Sequence, residues 1–348
     1  MNQACKHKLT RGGYQTGLSL LRVVATVCVI WLHTCSTLAE NADLFHLGES
    51  QLRFFSAAYQ MMYWAVPCFF MITGALLLNP EKTITANDCV WKYGRRIALV
   101  LFLFGIPFAM LKIVMETGNV NVSILPLAVK AVLEKQSLSH LWYLYELIGI
   151  YLILPMLRWF VAKADNNEVK MLIVALVIMD FVIPLINAAI EWDIGFDIPL
   201  KYPVLYVLLG WLLNKSDLKK YTSLCFAVAV LAVISIWVLN YVIDDTTAWT
   251  SYNSPLILIL SISLFAIFKN LEIQKKEMLW KIDRLCFAVY LVHPVLIQFT
   301  YRFLKITPAR ETQMYLLATI GYFAVFVIGS FVGSWILNMI KPLRRYVL

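Results

Sequence analysis

The sequence predicts an all-α, polytopic membrane bundle of about ten transmembrane helices with both termini cytoplasmic. Three observations carry that expectation. Hydrophobic residues make up 61% of the 348 positions and charged residues only 15%, with a mean hydropathy of +0.73, whereas soluble domains are roughly half apolar. Apolar stretches long enough to cross a bilayer, roughly 20 residues each, recur along the whole chain with short polar gaps. These stretches are continuous rather than alternating, which excludes a barrel of strands.

The expected spans run about 15–38, 54–78, 94–115, 140–162, 169–190, 199–214, 220–243, 250–268, 281–304 and 312–340, the sixth short and the last long. They form one membrane domain over 1–348, with no soluble domain attached. Residues 1–14 are polar and no small-residue cleavage pattern follows the first span, so that span reads as retained. Residues 120–136, "VNVSILPLAVKAVLEKQ", are too mixed to span and suit an external interfacial helix. No internal repeat or pair of Gly/Pro-broken helices of the transporter kind is evident.

Orientation follows from the basic residues. Outside the first span, 21 lysines and arginines fall on the side of the termini and 8 on the other, which makes the termini cytoplasmic. The net charge of +9 is therefore chiefly a topology signal that also suits an anionic lipid surface, and no nucleic-acid partner is expected. Of the seven cysteines, Cys28, Cys35, Cys68, Cys225 and Cys286 fall in spans and Cys5 and Cys89 on the cytoplasmic side. They offer neither a disulfide framework nor metal-ligand spacing, and read as small apolar fillers.

The first span carries the sharpest chemistry. "LLRVVATVCVIWLH" (20–33) holds Arg22 and His33. Eleven residues at about 100° each return to within about 20° of the same face, some 16 Å farther along the helix. Charged groups inside a span are expensive and usually face a bundle interior or a wet cavity; the bland reading is an arginine and a histidine each near an interface. Arg22 lies nearer the cytoplasm, where a guanidinium suits the phosphates of an activated donor. His33 lies deeper, where a neutral imidazole can take a proton from a hydroxyl.

Other stretches add candidates. "WKYGRRIALV" (91–100) places Lys92, Arg95 and Arg96 at the cytoplasmic mouth of the third span, where plain anchoring explains much of the signal. "AVPCFFMITGALLL" (65–78) brings Phe70, a proline expected to loosen the helix, and a Thr73-Gly74 pair that permits close helix contact. "SHLWYLYELIGIYLILP" (139–155) puts His140 and Trp142 at the external end of the fourth span, with Glu146 one turn below Trp142. Glu146, like Asp180 in the fifth span, is either a partner for a buried cation or part of a site. "AVYLVHPVLI" (288–297) sets Tyr290 and His293 beside a proline, where a structural histidine at a kink is the plainer reading.

Taken in order and spacing, these motifs resemble the acyltransferase-3 family of bacterial multi-pass membrane acyltransferases: the arginine and histidine of the first span, "VPCFFMITG", the basic cluster before the third span, "HLWYL", Pro155 and "YLVHP". The resemblance covers nearly the whole chain. It implies a ten-helix core, acetyl-CoA or a related acyl-CoA as cytoplasmic co-substrate with no metal, and a hydroxyl of an envelope glycan as acceptor. Members without a soluble domain look like inner-membrane O-acetyltransferases of surface polysaccharides or their lipid-linked precursors. The family's arginine and histidine fall on Arg22 and His33, and its basic pair on Lys92 and Arg95, where two arginines are commoner. Ser19 stands where an aspartate often precedes the first-span arginine, and Thr73 where a serine is common.

On this reading the donor sits on Arg22, Lys92, Arg95 and Arg96. His33, Glu146 and His293 are the catalytic candidates, with His33 as general base or transient acyl carrier. Phe70, Thr73, His140, Trp142 and Tyr290 line the acceptor pocket. Partners are the donor, an envelope glycan or lipid-linked oligosaccharide, and membrane lipids; oligomeric state is not legible. The residues alone also admit a transporter or flippase, with Arg, His, Glu and Asp forming a substrate or proton path, or a non-catalytic lipid-binding assembly subunit.

Overall fold

The computed structural model describes residues 15–118, 121, 123–190, 194, 202–271, 273–274, 276–307 and 314–347. The expectations attached to Cys5, Lys6, Lys8, Arg11, Lys201, Lys275 and Arg310 lie outside them. The described residues are mostly helical, with no strand among them. Among the described residues eight helices are long and apolar enough to cross a membrane, and a ninth crossing forms if a pair bent by 50° is counted as one.

The first crossing is α1 (Thr16–Ala39), one unbroken helix. The second is split into α2 (Glu49–Gln60) and α3 (Ala65–Leu77) by a turn at 61–64. Pro67 therefore does not loosen the middle of a long helix. It sits in the first turn of α3, where its missing N–H would have had no helical partner. The third crossing runs from a π-helical segment, Asp88–Gly94, into α4 (Arg95–Thr117). The short α5 (Ile124–Leu133) follows and buries Ile124, Ala128 and Val132, one face at four-residue spacing. A 3₁₀ turn at Ser139–Leu141 opens α6 (Trp142–Lys163), and α7 (Asn166–Val177) continues through a π-helical turn into α8 (Ile183–Ile190).

The sixth span is the short α9 (Tyr202–Lys215), 14 residues or about 21 Å, less than the roughly 30 Å of hydrocarbon. Residues 203–211 of α9 are all buried, as expected of a helix that is apolar all round and enclosed by protein. Its tightest neighbour is α3. A Cβ on Gly74 would lie 1.8 Å from the Val207 carbonyl oxygen, and one on Gly210 would lie 1.9 Å from that of Met71, so two glycines let the two backbones touch. At one end, Arg158 donates to the carbonyls of Leu77, Asn79 and Lys82, and Lys269 to those of Leu213, Asn214 and Ser216. These two cations cap the carbonyls at and just beyond the C-terminal ends of α3 and α9.

The chain closes with α10 (Thr222–Val242), α11 (Pro255–Lys269), the bent pair α12 (Lys276–Asp283) and α13 (Cys286–Gln298), then α14 (Tyr315–Met339) and α15 (Lys341–Tyr346). A π-helical segment, Phe299–Phe303, extends α13. Arg96 lines a cavity with Arg22 and its Nε donates to the Val347 carbonyl at 2.9 Å. The start of α1, the start of α4 and α15 thus meet at one end of the bundle, termed the basic end below.

Candidate active site

The site is strung along α1. Because α1 is unbroken, Arg22 and His33 do share a face, and each meets a different set of partners. At the basic end, Nη1 of Arg22 donates to both carboxylate oxygens of Asp283, at 2.8 and 2.9 Å. Asp283 is the last residue of α12, immediately before the bend into α13, and its side chain is only 3% exposed. Where Ser19 offers no carboxylate, Asp283 supplies one from 261 residues beyond Arg22.

Arg22 and Asp283 open onto a cavity of about 460 Å³, shared with Thr73, Arg96, Tyr143 and Tyr290. Next to it a second hollow, about 410 Å³, is lined by Lys92, Arg95, Arg96 and Arg345 together with Trp91 and Tyr93. Tyr93 and Arg96 line both. The basic end therefore offers a strongly cationic vestibule beside a slightly larger, mostly apolar chamber.

Three turns up α1, His33 belongs to a group of three histidines. Its ring lies 5.3 Å from that of His293 and 6.4 Å from that of His140, and those two are 6.1 Å apart, centroid to centroid. His140 arrives on the 3₁₀ turn before α6, and His293 on α13 just ahead of Pro294. His293 Nδ1 lies 2.9 Å from the Val289 carbonyl. A carbonyl can only accept, so Nδ1 carries the hydrogen and Nε2 presents a lone pair. That Nε2 and the Nε2 of His140 are buried with no hydrogen-bond partner. A pocket of about 20 Å³, roughly the room of one water, is lined by His33, Thr37, Ser139, His140 and Gln298 among others.

Tyr290 stands between the two regions. It lines the large cavity while its hydroxyl donates to the His140 carbonyl at 2.7 Å, and its ring packs 5.7 Å from Tyr143. The large cavity and the histidine pocket share no lining residue, so a layer of rings separates them.

Arg22, Thr73, Arg96 and Tyr290 thus line the chamber, and His33 and His140 the histidine pocket with His293 packed against both rings, so the path along α1 is interrupted by the ring layer; Lys92 and Arg95 line only the outer vestibule. Phe70 is fully buried with its ring 5.0 Å from Tyr143, behind the path rather than on it. Trp142 packs 5.1 Å from Tyr252, in a group of half-buried rings that also holds Tyr63 and Tyr202. Glu146 turns away. Its carboxylate is 3.9 Å from Lys135 Nζ, and it lines none of the three hollows. Sequence reading missed Asp283; the available signal was an acid in "WKIDRLC", set between Lys281 and Arg284 at the start of the expected ninth span.

The acyltransferase domain of the acyltransferase-3 family matches residues 15–339. The chain belongs to the acyltransferase-3 family. No curated protein and no solved structure matches it. An acyltransferase-3 protein is a multi-pass membrane enzyme that moves an acyl group, and two demands follow for its site: a place for an activated donor, and a base for the acceptor. The cationic vestibule with its chamber suits the first demand. The histidine group, with at least one ring held as a lone-pair acceptor, suits the second.

Proposed function

We propose that this acyltransferase takes an acetyl group from acetyl-CoA at the cytoplasmic face of the inner membrane and transfers it to a hydroxyl of a cell-envelope glycan or its lipid-linked precursor. The observation that carries the reading is the pairing of Arg22 and His33 on one face of α1, with an anion-binding vestibule below and three histidines above. With the basic end taken as cytoplasmic, in keeping with its excess of lysine and arginine, the donor's phosphates lie on Arg22, Arg95, Arg96 and Lys92. The pantetheine arm extends through the chamber toward Tyr290. About 16 Å separates Arg22 from His33 along the helix, a distance suited to an extended thioester arm.

The acceptor hydroxyl gives its proton to the His33 imidazole as its oxygen bonds to the thioester carbonyl carbon. The carbon–sulfur bond then breaks, and the departing thiolate takes the proton from the imidazolium, leaving an ester and free CoA. Tyr290 and His140 hold the wall through which the carbonyl must reach. His293, beside His33, is placed to share the proton. The half-buried rings of Tyr63, Trp142, Tyr202 and Tyr252 combine apolar faces with polar edges, a surface suited to a sugar.

Incubation of the purified protein in nanodiscs with labelled acetyl-CoA, followed by mass spectrometry of surface polysaccharide from cells with and without the gene, tests this. Consumption of donor and an acetyl-sized mass lost with the gene are expected. An unchanged polysaccharide together with intact acetyl-CoA would refute it. Intact-protein mass after donor alone separates the two roles open to His33, because only an acyl-histidine adds mass without acceptor.

A further inference from the structure

The vestibule is not built by the third span alone. α15 follows a break at Ile340, whose backbone is extended (φ −76°, ψ 103°), and its first turn holds Pro342. The segment is fastened back onto the bundle at three points. Leu343 and Val347, four residues apart, pack into the apolar cluster between α4, α5 and α6, and Arg96 holds the Val347 carbonyl. That docking carries Arg345 and Tyr346 to the lip of the vestibule, opposite Lys92 and Arg95.

The chemistry assembled there is specific. Among the described residues the lining holds four cations, Lys92, Arg95, Arg96 and Arg345, and one acid, Asp88, and the Asp88 carboxylate already accepts from the backbone N–H and hydroxyl of Thr85. Among the described residues no carboxylate comes within ion-pair distance of Lys92, Arg95 or Arg345. Aromatic faces alternate with the charges: Lys92 lies 5.6 Å from the Tyr93 centroid and Arg345 5.3 Å from that of Tyr346, with Trp91 at the rim. Clustered guanidinium groups match phosphate oxygens in bidentate fashion, and flat rings match a base.

The geometry points to α15 as the missing wall of the donor's nucleotide site, with Arg345 binding a phosphate of the acyl-CoA head and Tyr346 closing the pocket around its base. This rests on the acyl-CoA reading above. Arg96 then has two tasks, since it touches the chamber on one side and secures the strap on the other. A lipid headgroup carries the same phosphate chemistry, and the test separates the two.

The full-length protein in nanodiscs is titrated with CoA, dephospho-CoA and pantetheine, first in zwitterionic lipid and then with anionic lipid added. Arg345→Ala is expected to weaken CoA binding about tenfold, the share of one charge-assisted contact. It should leave pantetheine binding and thermal unfolding unchanged, because the residue is exposed, and Arg345→Lys should recover part of the loss. Arg344→Ala, an exposed neighbour of the same charge that does not line the vestibule, should bind CoA as wild type does. Equal CoA affinity in Arg345→Ala and wild type overturns the inference, as does an equal loss in Arg344→Ala, which would mark a general surface field. A lipid role would appear as lost retention of anionic lipid with CoA affinity intact, and also overturns it. Wild type that binds no CoA at all fails the acyl-CoA reading itself.

Discussion

Removing Arg22 should do more harm than removing Arg22 and the Asp283 charge together. In Arg22→Ala the donor loses a bidentate phosphate contact, about 1.5–3 kcal/mol for a charge-assisted bond. It also meets a carboxylate whose arginine is gone, because Asp283 is 3% exposed and Arg22 Nη1 bonds both of its oxygens, at 2.8 and 2.9 Å. A phosphate about 6 Å from that carboxylate feels roughly 3 kcal/mol of repulsion at an effective dielectric near 20. Screening over a Debye length of about 8 Å leaves about half of it, or roughly tenfold in affinity. Arg22→Ala should therefore weaken acyl-CoA binding on the order of 10²- to 10³-fold, and adding Asp283→Asn should restore about tenfold. Calorimetric titration of donor into nanodisc protein measures both. A double variant that binds as weakly as Arg22→Ala, or more weakly, would show that Asp283 does not act through charge on the donor site.

His33→Gln keeps size and hydrogen-bonding capacity but cannot accept a proton near neutral pH; it should bind donor normally and lose acetyl transfer on the order of 10²-fold or more, and near-normal turnover would move the base to His293 or His140. Gly74→Ala would set a Cβ 1.8 Å from the Val207 oxygen. With backbone on both sides and nothing flexible to yield, it should cost at least about 1–3 kcal/mol of stability, read as an earlier thermal unfolding transition, and an unchanged transition would contradict the α3–α9 contact. Reporter fusions should place both termini in the cytoplasm, and activity of an external reporter at either would reverse the donor side.

Local regularities were legible in the sequence, and distant pairings were not. The helical face shared by Arg22 and His33 follows from periodicity alone, since nothing interrupts α1. His140 and His293 stood out singly, one at a span end and the other beside a proline inside a span. Their approach to His33 depends on how the start of α6 and the middle of α13 pack against α1, which no spacing within one helix encodes. Asp283 was hidden for the same reason, and because its basic neighbours made its stretch look like an anchor. Glu146 resembled a site acid until Lys135, on the chain just before α6, drew it outward. The shortness of α9 was visible in its composition, but its backbone contact with α3, Gly74 against Val207 and Gly210 against Met71, was not.

The wall at Tyr290 also has an electrical meaning. Where a bundle is hollowed from both ends, the low-dielectric layer that holds the membrane voltage thins to the rings left between the hollows, and most of the potential drops across them. Each elementary charge that moves through the full drop gains or loses about 2.3 kcal/mol per 100 mV. The acetyl group is neutral and crosses such a layer without electrical work, but a proton that leaves on the opposite side from its hydroxyl does not. An acyltransferase that passed its proton through such a wall would therefore run faster or slower as the voltage across its membrane changed.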